Sequence, residues 1–495
     1  MDENRPALTD PAACYAAFRS HDVRFDGRFF VGIVTTGIYC RPVCRVKMPK
    51  PENCAYYSSA AAAEAAGYRP CLKCRPELAP GLAPIDTASR LARQAALRME
   101  EDCLADSGIT QLAQEIGVSD RHLRRVFAVE YGVTPRQYLQ TCRLLLAKSL
   151  LTDTTLPVTE VALAAGFGSI RSFNHLFRQH YRMTPASLRT RSRSSRCGQN
   201  IAVQLDYRPP YQWENLRDFL SVRAIPGVES VDEHGYCRTV SLLAGGRRYC
   251  GWLRVSPVPG RHALRISLPP SLLPVLAKVL ARVKVLFDLD CDPAEIAVAL
   301  SSLNELSPGM CIAGTRLPGC FDPFEMAVRA VLGQQITIKA ARTLAARFAA
   351  AFGEKIVAPA PGLDYLFPEP EVICRLAGSA ETRMGALGIT RARSRTIVAL
   401  AEALASGRIL LAPGVDPAAV IAQLQTLPGI GAWTAQYLAM RALGWPDAFL
   451  HTDYGVKKAL AGRTAGEMLA LASAWRPWRS YAVIQLWQSL KGGTT

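Results

Sequence analysis

Cysteine placement constrains this chain more than any other feature. Cys40 and Cys44 form one close pair and Cys71 and Cys74 a second, with residues 45–70 between them. The remaining cysteines stand singly, Cys54 among them. Four thiolates at this spacing suit tetrahedral Zn²⁺, because soft sulfur ligands close a small, loop-rich fold that has no large core of its own. Two plainer readings stand beside this one: four ordinary buried cysteines, or a zinc site that is structural only. Spacing carries no information about reactivity.

The first eighty residues are a small part of the whole. A chain of 495 residues exceeds what one core holds and divides into three or four domains. Hydrophobic residues at 49% and charged residues at 20% indicate globular material rather than a disordered chain. The most apolar stretch, Ser271–Phe287, is broken by Lys278, Arg282 and Lys284, so no membrane span is expected. The opening MDENRPALTD is polar and acidic, unlike a secretory signal. A cytoplasmic location follows as the expectation, with thiols reduced unless a metal holds them. Lys and Arg outnumber Asp and Glu by 58 to 41, a net charge of +17 that points to a polyanionic partner, nucleic acid first.

Pattern changes divide the chain. Residues 1–80 alternate aromatic and Gly signals (FDGRFFVGIVTTGIYC) as short strands and loops do. Residues 85–190 carry apolar positions at helical spacing. Residues 191–200 are the Arg- and Ser-rich end of RMTPASLRTRSRSSRCGQN, a solvated linker. Residues 201–288 turn strand-like (TVSLLAGGRRYCGWLRV, HALRISLP), with a helix at Leu272–Leu286, and residues 289–495 are helical again. The expected class is multidomain α+β: a small zinc-bound domain, an all-α double helix-turn-helix domain, a small TBP-like α/β-sheet domain and an all-α helix-hairpin-helix domain.

Arg41, Arg45, Lys47, Arg69 and Arg75 crowd the paired cysteines, giving a basic, phosphate-seeking surface. TTGIYCRPVC followed by AAGYRPCLKC strongly resembles the N-terminal domain of the Ada family of adaptive-response regulators, over about residues 10–78. The resemblance implies one Zn²⁺ held by Cys40, Cys44, Cys71 and Cys74. It also implies that Cys40 attacks a methyl phosphotriester in DNA, once per protein. Four thiolates around Zn²⁺ carry net charge −2, and alkylating one removes a negative charge, so repulsion from DNA phosphates falls and damage becomes a binding signal.

Two segments of the next block, ITQLAQEIGVSDRHLRRVFAVEYGVTP and PVTEVALAAGFGSIRSFNHLFRQHYRMTP, repeat one unit: an apolar helix, a Gly turn, a second helix and a closing Tyr-x3-Pro. Gly117 and Gly166 suit the turns, and Ser119 and Ser169 suit N-caps of the second helices. Those helices carry Arg121, His122, Arg124 and Arg125 in one copy and Arg171, Ser172, Asn174, His175 and Arg178 in the other. Such side chains suit major-groove and phosphate contacts. The second unit is similar to the AraC-type activator signature, which implies a promoter site and RNA polymerase as partners. A bland helical bundle is the alternative.

Ada-family chains continue into an alkyltransferase with a Pro-Cys-His-Arg motif, which this sequence lacks. Instead Leu427-Pro-Gly-Ile-Gly-Ala-Trp-Thr-Ala435 lies between helical patterns. Gly429 and Gly431 permit a tight turn whose backbone N–H groups, opening the next helix, can hold a DNA phosphate. Asp453 follows about twenty residues on, placed either to cap a helix or to face a cleft. Hairpin, Asp453 and WRPWRSYAVIQLW resemble the helix-hairpin-helix glycosylases. Residues 205–490 most resemble the DNA-3-methyladenine glycosylase II family, including its β-rich N-terminal domain (YRPPYQWENLRDFL).

That resemblance implies Asp453 as the catalytic carboxylate and Phe219, Trp433, Tyr437, Tyr454 and Trp487 as the rings around an extruded alkylated base. Gln335 stands where the family has a wedging Leu, and His451 and Thr452 replace its usual Pro-Asp. Trp433 occupies the place of the Lys used by strand-cutting relatives, so a monofunctional hydrolase is expected. The last cysteine is Cys374, so no C-terminal iron–sulfur loop is expected. The combined expectation is a methyl-damage-sensing activator fused to a 3-methyladenine glycosylase acting on double-stranded DNA. A DNA-binding regulator with an inactive glycosylase half is the alternative.

Overall fold

The computed structural model describes the chain apart from residues 1–10, 22–28, 58–59, 72, 75, 77–83, 103–107, 192–199, 359, 413 and 491–495. Arg75 and nearly all of the Arg/Ser linker therefore lie outside the described residues. The chain is multidomain α+β and forms two compact units, Met1–Ala95 with Leu112–Pro135, and Ala96–Gln111 with Arg136–Thr495.

The first unit holds a four-stranded sheet built from β1 (Phe30–Ile33), β2 (Ile38–Cys40), β3 (Cys54–Tyr57) and β4 (Arg69–Pro70), in the order β3-β1-β2-β4. β1 runs antiparallel to β2 and β3, while β4 joins β2 in parallel. Gly32 lies under two tyrosine rings, and a Cβ there would stand 2.9 Å from both Tyr57 and Tyr68. Four of the ten buried residues in the main apolar cluster of this sheet are Cys40, Cys44, Cys71 and Cys74. So small a core leaves the fold dependent on whatever the four sulfurs bind.

The second unit contains an antiparallel five-stranded sheet: β5 (Ile201–Asp206), β6 (Glu229–Asp232), β7 (Gly235–Ala244), β8 (Arg247–Pro257) and β9 (Ala263–Leu268), in the order β5-β9-β8-β7-β6. Gly245 and Gly246, at φ +55° and +74°, make the two-residue turn joining β7 to β8, where both central residues need positive φ. The helix expected at Leu272–Leu286 is seen as a 3₁₀ turn, Pro270–Val275, running into an α-helix, Leu276–Phe287. Pro274 explains the tighter first part, since it has no N–H for an α-helical hydrogen bond.

One apolar core takes in this sheet, its helices, the C-terminal helix Arg479–Ser489 and the second helix-turn-helix, whose Phe173 and Phe177 belong to it. Asp153 also accepts a hydrogen bond from the Gln204 N–H at 3.3 Å, across the linker in sequence. The second helix-turn-helix, the sheet domain and the helices after it thus share a hydrophobic core, although their sequence patterns differ. A second core, from Cys320 to Leu443, fills the helices of that stretch and reaches the sheet domain through Ile225 and Val228.

Asp288 caps the Leu276–Phe287 helix with φ +51° and accepts hydrogen bonds from the Leu317 N–H (2.9 Å) and the Tyr481 hydroxyl (2.8 Å). Burial pushes its pKa up to about 6, against these hydrogen bonds. Below about pH 4 the folded and unfolded forms are both protonated; between about 4 and 6 only the folded form keeps the proton. Its contribution to stability therefore falls, by on the order of 2–3 kcal/mol, as pH rises through that interval. Asp288→Asn resembles the protonated form and should flatten the pH dependence of the urea midpoint there; an unchanged slope would place the titration elsewhere.

Candidate functional sites: a four-cysteine cluster and an aromatic–aspartate centre

The sulfurs of Cys40, Cys44, Cys71 and Cys74 lie within 4.8 Å of one another, and all four residues are buried. Strand pairing brings them together. Cys40 ends β2, the Cys44 N–H donates to the Arg41 carbonyl (3.0 Å), and the Cys71 N–H donates to the Tyr39 carbonyl (3.0 Å). Sulfurs at Zn–S bonds of about 2.3 Å in a tetrahedron stand about 3.8 Å apart; the Cys44–Cys71 separation is 4.0 Å. Thiol protons alone satisfy such a cluster poorly. Hydrogen bonds to Cys44 and Cys74, and then burial, push the Cys40 thiol far up, while hydrogen bonds from Cys40 and Cys44 pull Cys74 down to about 3. One divalent cation removes that competition, so these residues fit one Zn²⁺.

The basic surroundings are less uniform than the sequence implies. Arg41 is 1% exposed, and its guanidinium donates to the Cys74 carbonyl at 3.5 Å. It braces the cysteine loops from inside and contributes nothing to a phosphate-seeking surface. Arg45 donates to the Val129 carbonyl at 2.5 Å and lies 3.7 Å from Glu130. Lys47 and Arg69 are exposed.

Both helix-turn-helix signatures take the expected local form. Gly117 and Gly166 have φ of +76° and +80°. Ser119 accepts from the His122 N–H (3.2 Å) at the start of helix Asp120–Tyr131, and Ser169 from the Ser172 N–H (3.1 Å) at the start of helix Ile170–Tyr181. Buried Leu123, Val126 and Phe127 turn Arg121, Arg124 and Arg125 outward; buried Phe173 and Phe177 do the same for Arg171 and Arg178, with Asn174 half-buried between them. Arg124 pairs with Asp120 at 2.7 Å on the helix surface.

The hairpin joins helix Pro417–Gln425 to helix Ala432–Arg441. Gly429 has φ +79°, and a Cβ there would sit 2.2 Å from the Thr396 hydroxyl oxygen. Gly431 is the N-cap of the second helix, offers no side-chain cap and faces open space, so the first amides of a ten-residue helix remain available to an anion. Gln335 is exposed at φ +55°, a conformation that side chains other than Gly and Asn rarely adopt. Its neighbour Gln334 ties this tip to the hairpin, donating to the Gly429 carbonyl (3.0 Å) and Thr434 hydroxyl (3.1 Å).

Asp453 is the N-cap of helix Tyr454–Ala459, accepting from the Val456 N–H at 3.1 Å. Both indoles also converge on it: Trp433 Nε1 donates to Oδ2 at 3.1 Å and Trp487 Nε1 to Oδ1 at 2.8 Å. Capping the helix and facing the rings are thus compatible in one side chain. Trp433 stacks on Tyr437 at 5.1 Å and 9°, and Phe219 lies parallel to Trp487 at 6.4 Å and 15°. A planar base between two rings needs about 7 Å, twice a van der Waals contact of roughly 3.5 Å, so the Phe219–Trp487 gap must widen to admit one. Of the five rings expected, the structure groups these four and leaves Tyr454 80% exposed at the surface.

Sequence reasoning missed Gly455. A Cβ there would stand 2.7 Å from Trp487 Cδ1, 3.0 Å from its Nε1 and 3.1 Å from Asp453 Oδ1. Gly455→Ala should push the indole off the carboxylate and cut base release by about 10- to 100-fold. Thermal stability should change little, because Ala favours the helix. Unchanged release with an unchanged melting temperature would show that the Trp487 contact is dispensable.

A four-cysteine metal domain and helix-turn-helix units, followed by a sheet domain and a helix-hairpin-helix with an aspartate set among rings, define a DNA-binding regulator joined to a base-excision glycosylase. Family models match along this order: "Metal binding domain of Ada" at residues 13–77, "Helix-turn-helix domain" at 112–191, "AlkA N-terminal domain" at 202–322 and "HhH-GPD superfamily base excision DNA repair protein" at 328–463. The chain is 37% identical to the probable bifunctional transcriptional activator/DNA repair enzyme AlkA of Mycobacterium tuberculosis, over 97% of this chain and 96% of that one. It is 39% identical to Escherichia coli DNA-3-methyladenine glycosylase 2 over 57% of this chain and 95% of the relative. It is 34% identical to Escherichia coli Ada over 37% of this chain and 49% of the relative. The chain belongs to the family of bifunctional transcriptional activator/DNA repair enzymes of the AlkA type. No helix among the described residues is long and apolar enough to cross a membrane.

Proposed function

We propose that this protein removes alkylated bases such as 3-methyladenine from double-stranded DNA as a monofunctional glycosylase. Its N-terminal domain, in this reading, accepts one methyl group from a DNA methyl phosphotriester on Cys40 and thereby promotes activation at a promoter, with RNA polymerase as the partner. The labour divides among residues 1–80 (methyl acceptor), 85–190 (promoter binding), 201–288 (sheet domain) and 289–495 (glycosylase), with 191–200 as linker.

The observation that carries the glycosylase reading is Asp453, held by two indole N–H groups and a backbone N–H among stacked rings. A base extruded from the duplex enters by parting Phe219 from Trp487, Gln335 fills the vacated stack, and the amides at Gly431 hold a phosphate. The C1′–N bond breaks with its electron pair leaving on the base, and the Asp453 carboxylate stabilises the positive charge developing on the sugar. Water then adds at C1′ and gives its proton to Asp453. A cationic 3-methyladenine departs neutral and needs no acid.

In the N-terminal domain, Cys40, Cys44, Cys71 and Cys74 would hold the Zn²⁺, which keeps cysteine sulfurs deprotonated at neutral pH. Cys40 Sγ attacks the methyl carbon; the S–C bond forms as the C–O bond breaks, and the electron pair leaves on the phosphodiester oxygen. The exposed arginines of the two second helices support duplex binding through phosphate and base-edge contacts. Incubation of the full chain with methylated duplex DNA tests the reading: chromatography should show free 3-methyladenine. Its absence from well-folded protein would leave a DNA-binding regulator without glycosylase action.

A further inference from the structure

The rings expected to receive a cationic base are already facing cations. The Arg223 guanidinium carbon lies 3.8 Å from the Phe219 ring centroid. That of Arg441 lies 5.0 Å from the same ring and 5.6 Å from Tyr437, whose hydroxyl accepts from its Nη1 at 2.8 Å. Among the described residues, neither arginine has a carboxylate within ion-pair distance. Arg441 is 2% exposed and spends its other donors on the Pro318 and Gly319 carbonyls.

Arg223 is set in place by the fold. It lies in the turn just past the helix Trp213–Ser221, and its Nη1 donates back to the Phe219 carbonyl of that helix at 3.2 Å. Its own carbonyl accepts from Arg329, and the next carbonyl, that of Ala224, accepts from Arg342 at 2.8 Å. Arg329 is anchored in turn by Glu229 (2.8 Å) and Glu325 (3.0 Å). Burial lowers the Arg223 pKa to about 10, which leaves the group charged at neutral pH.

Two positive charges against the rings, neither in ion-pair contact with a carboxylate and Arg223 drawn to Asp453 only at longer range, act oppositely on two kinds of lesion in a site that sheds water when a base enters. They repel a cationic N-alkylpurine. An uncharged base departs with the C1′–N electron pair as an anion, takes its proton afterwards from solvent, and is stabilised by the same charges as it leaves. We propose that Arg223 is a specificity-determining residue that shifts this glycosylase from cationic towards uncharged lesion bases. The proposal rests on the base-release function above and concerns which substrates that site prefers.

The test uses the full chain in single-turnover assays on two duplexes, one with a single 7-methylguanine (cationic) and one with a single hypoxanthine (uncharged). R223Q should shift the ratio of the two rates by at least about tenfold towards 7-methylguanine, whereas R223K, which retains the charge, should stay within about threefold of wild type. R223M serves as the uncharged variant if the melting curve shows that R223Q does not fold. An unchanged ratio in the uncharged variant, with both rates falling together or neither changing, overturns the proposal and assigns Arg223 a packing role. A shift in R223K as large as in R223Q also overturns it, because charge would then not be the cause. Release of neither base by wild type instead overturns the base-release function, and this inference with it.

Discussion

Asp453→Asn is expected to lower release of 3-methyladenine from methylated duplex DNA by about 10²- to 10⁴-fold while leaving the protein folded. The substitution isolates charge from shape. Asn caps helices about as well as Asp, so the bond from the Val456 N–H survives and the helix Tyr454–Ala459 keeps its start. The change falls on the opposite edge of the group. With the oxygen that accepts from Val456 and Trp487 kept, the other oxygen becomes an amide that can only donate, facing the Trp433 indole N–H. The negative charge is lost with it. Parallel melting curves separate the two consequences: a shift of a few degrees with release abolished assigns the carboxylate to chemistry. Release within threefold of wild type would mean that Asp453 only caps its helix and holds the indoles.

Removing one zinc ligand should have an effect as large, confined to the other end of the chain. Cys44→Ala leaves three sulfurs at a centre where four of the ten buried core residues are the ligands themselves. Structural zinc supplies roughly 10–16 kcal/mol of folding free energy in finger-sized peptides, more than so small a core can replace. The expected results are loss of the bound zinc, proteolytic sensitivity of the first eighty residues, and no methyl on Cys40 after incubation with methylated DNA, where the wild type gains one by mass spectrometry. Base release should stay within about threefold, because Asp453 and its rings are built on the second compact unit. Zinc still bound at one per chain, or a methyl still transferred to Cys40, would overturn this account.

Local chemistry was readable wherever it depends on neighbours in sequence. Gly117 and Gly166 take positive φ because each ends a helix that must turn at once, and Ser119 and Ser169 cap because the amide three residues on lacks a partner. The paired cysteines announced a metal centre through spacing alone, and the Pro-Gly-Ile-Gly run announced a hairpin whose second helix opens with free amides. Side-chain direction was less legible. Arg41 reads as part of a basic surface but turns inward to the Cys74 carbonyl, and Tyr454, next to Asp453 in sequence, points to solvent because a helix start sends adjacent residues to different sides.

By itself, then, the sequence determined which elements form, where they cap and turn, and which residue types each presents, since all of these follow from short-range propensity and periodicity. Only the tertiary structure decided which of those residues meet. It set Trp433 and Trp487 on the two oxygens of Asp453, made room for the second indole at Gly455, and laid Arg223 and Arg441 against the rings. It also put the second helix-turn-helix into one apolar core with the sheet that follows the linker. The reason is physical: contacts between residues tens or hundreds of positions apart depend on how helices and sheets bury their faces together, and no local pattern records that choice.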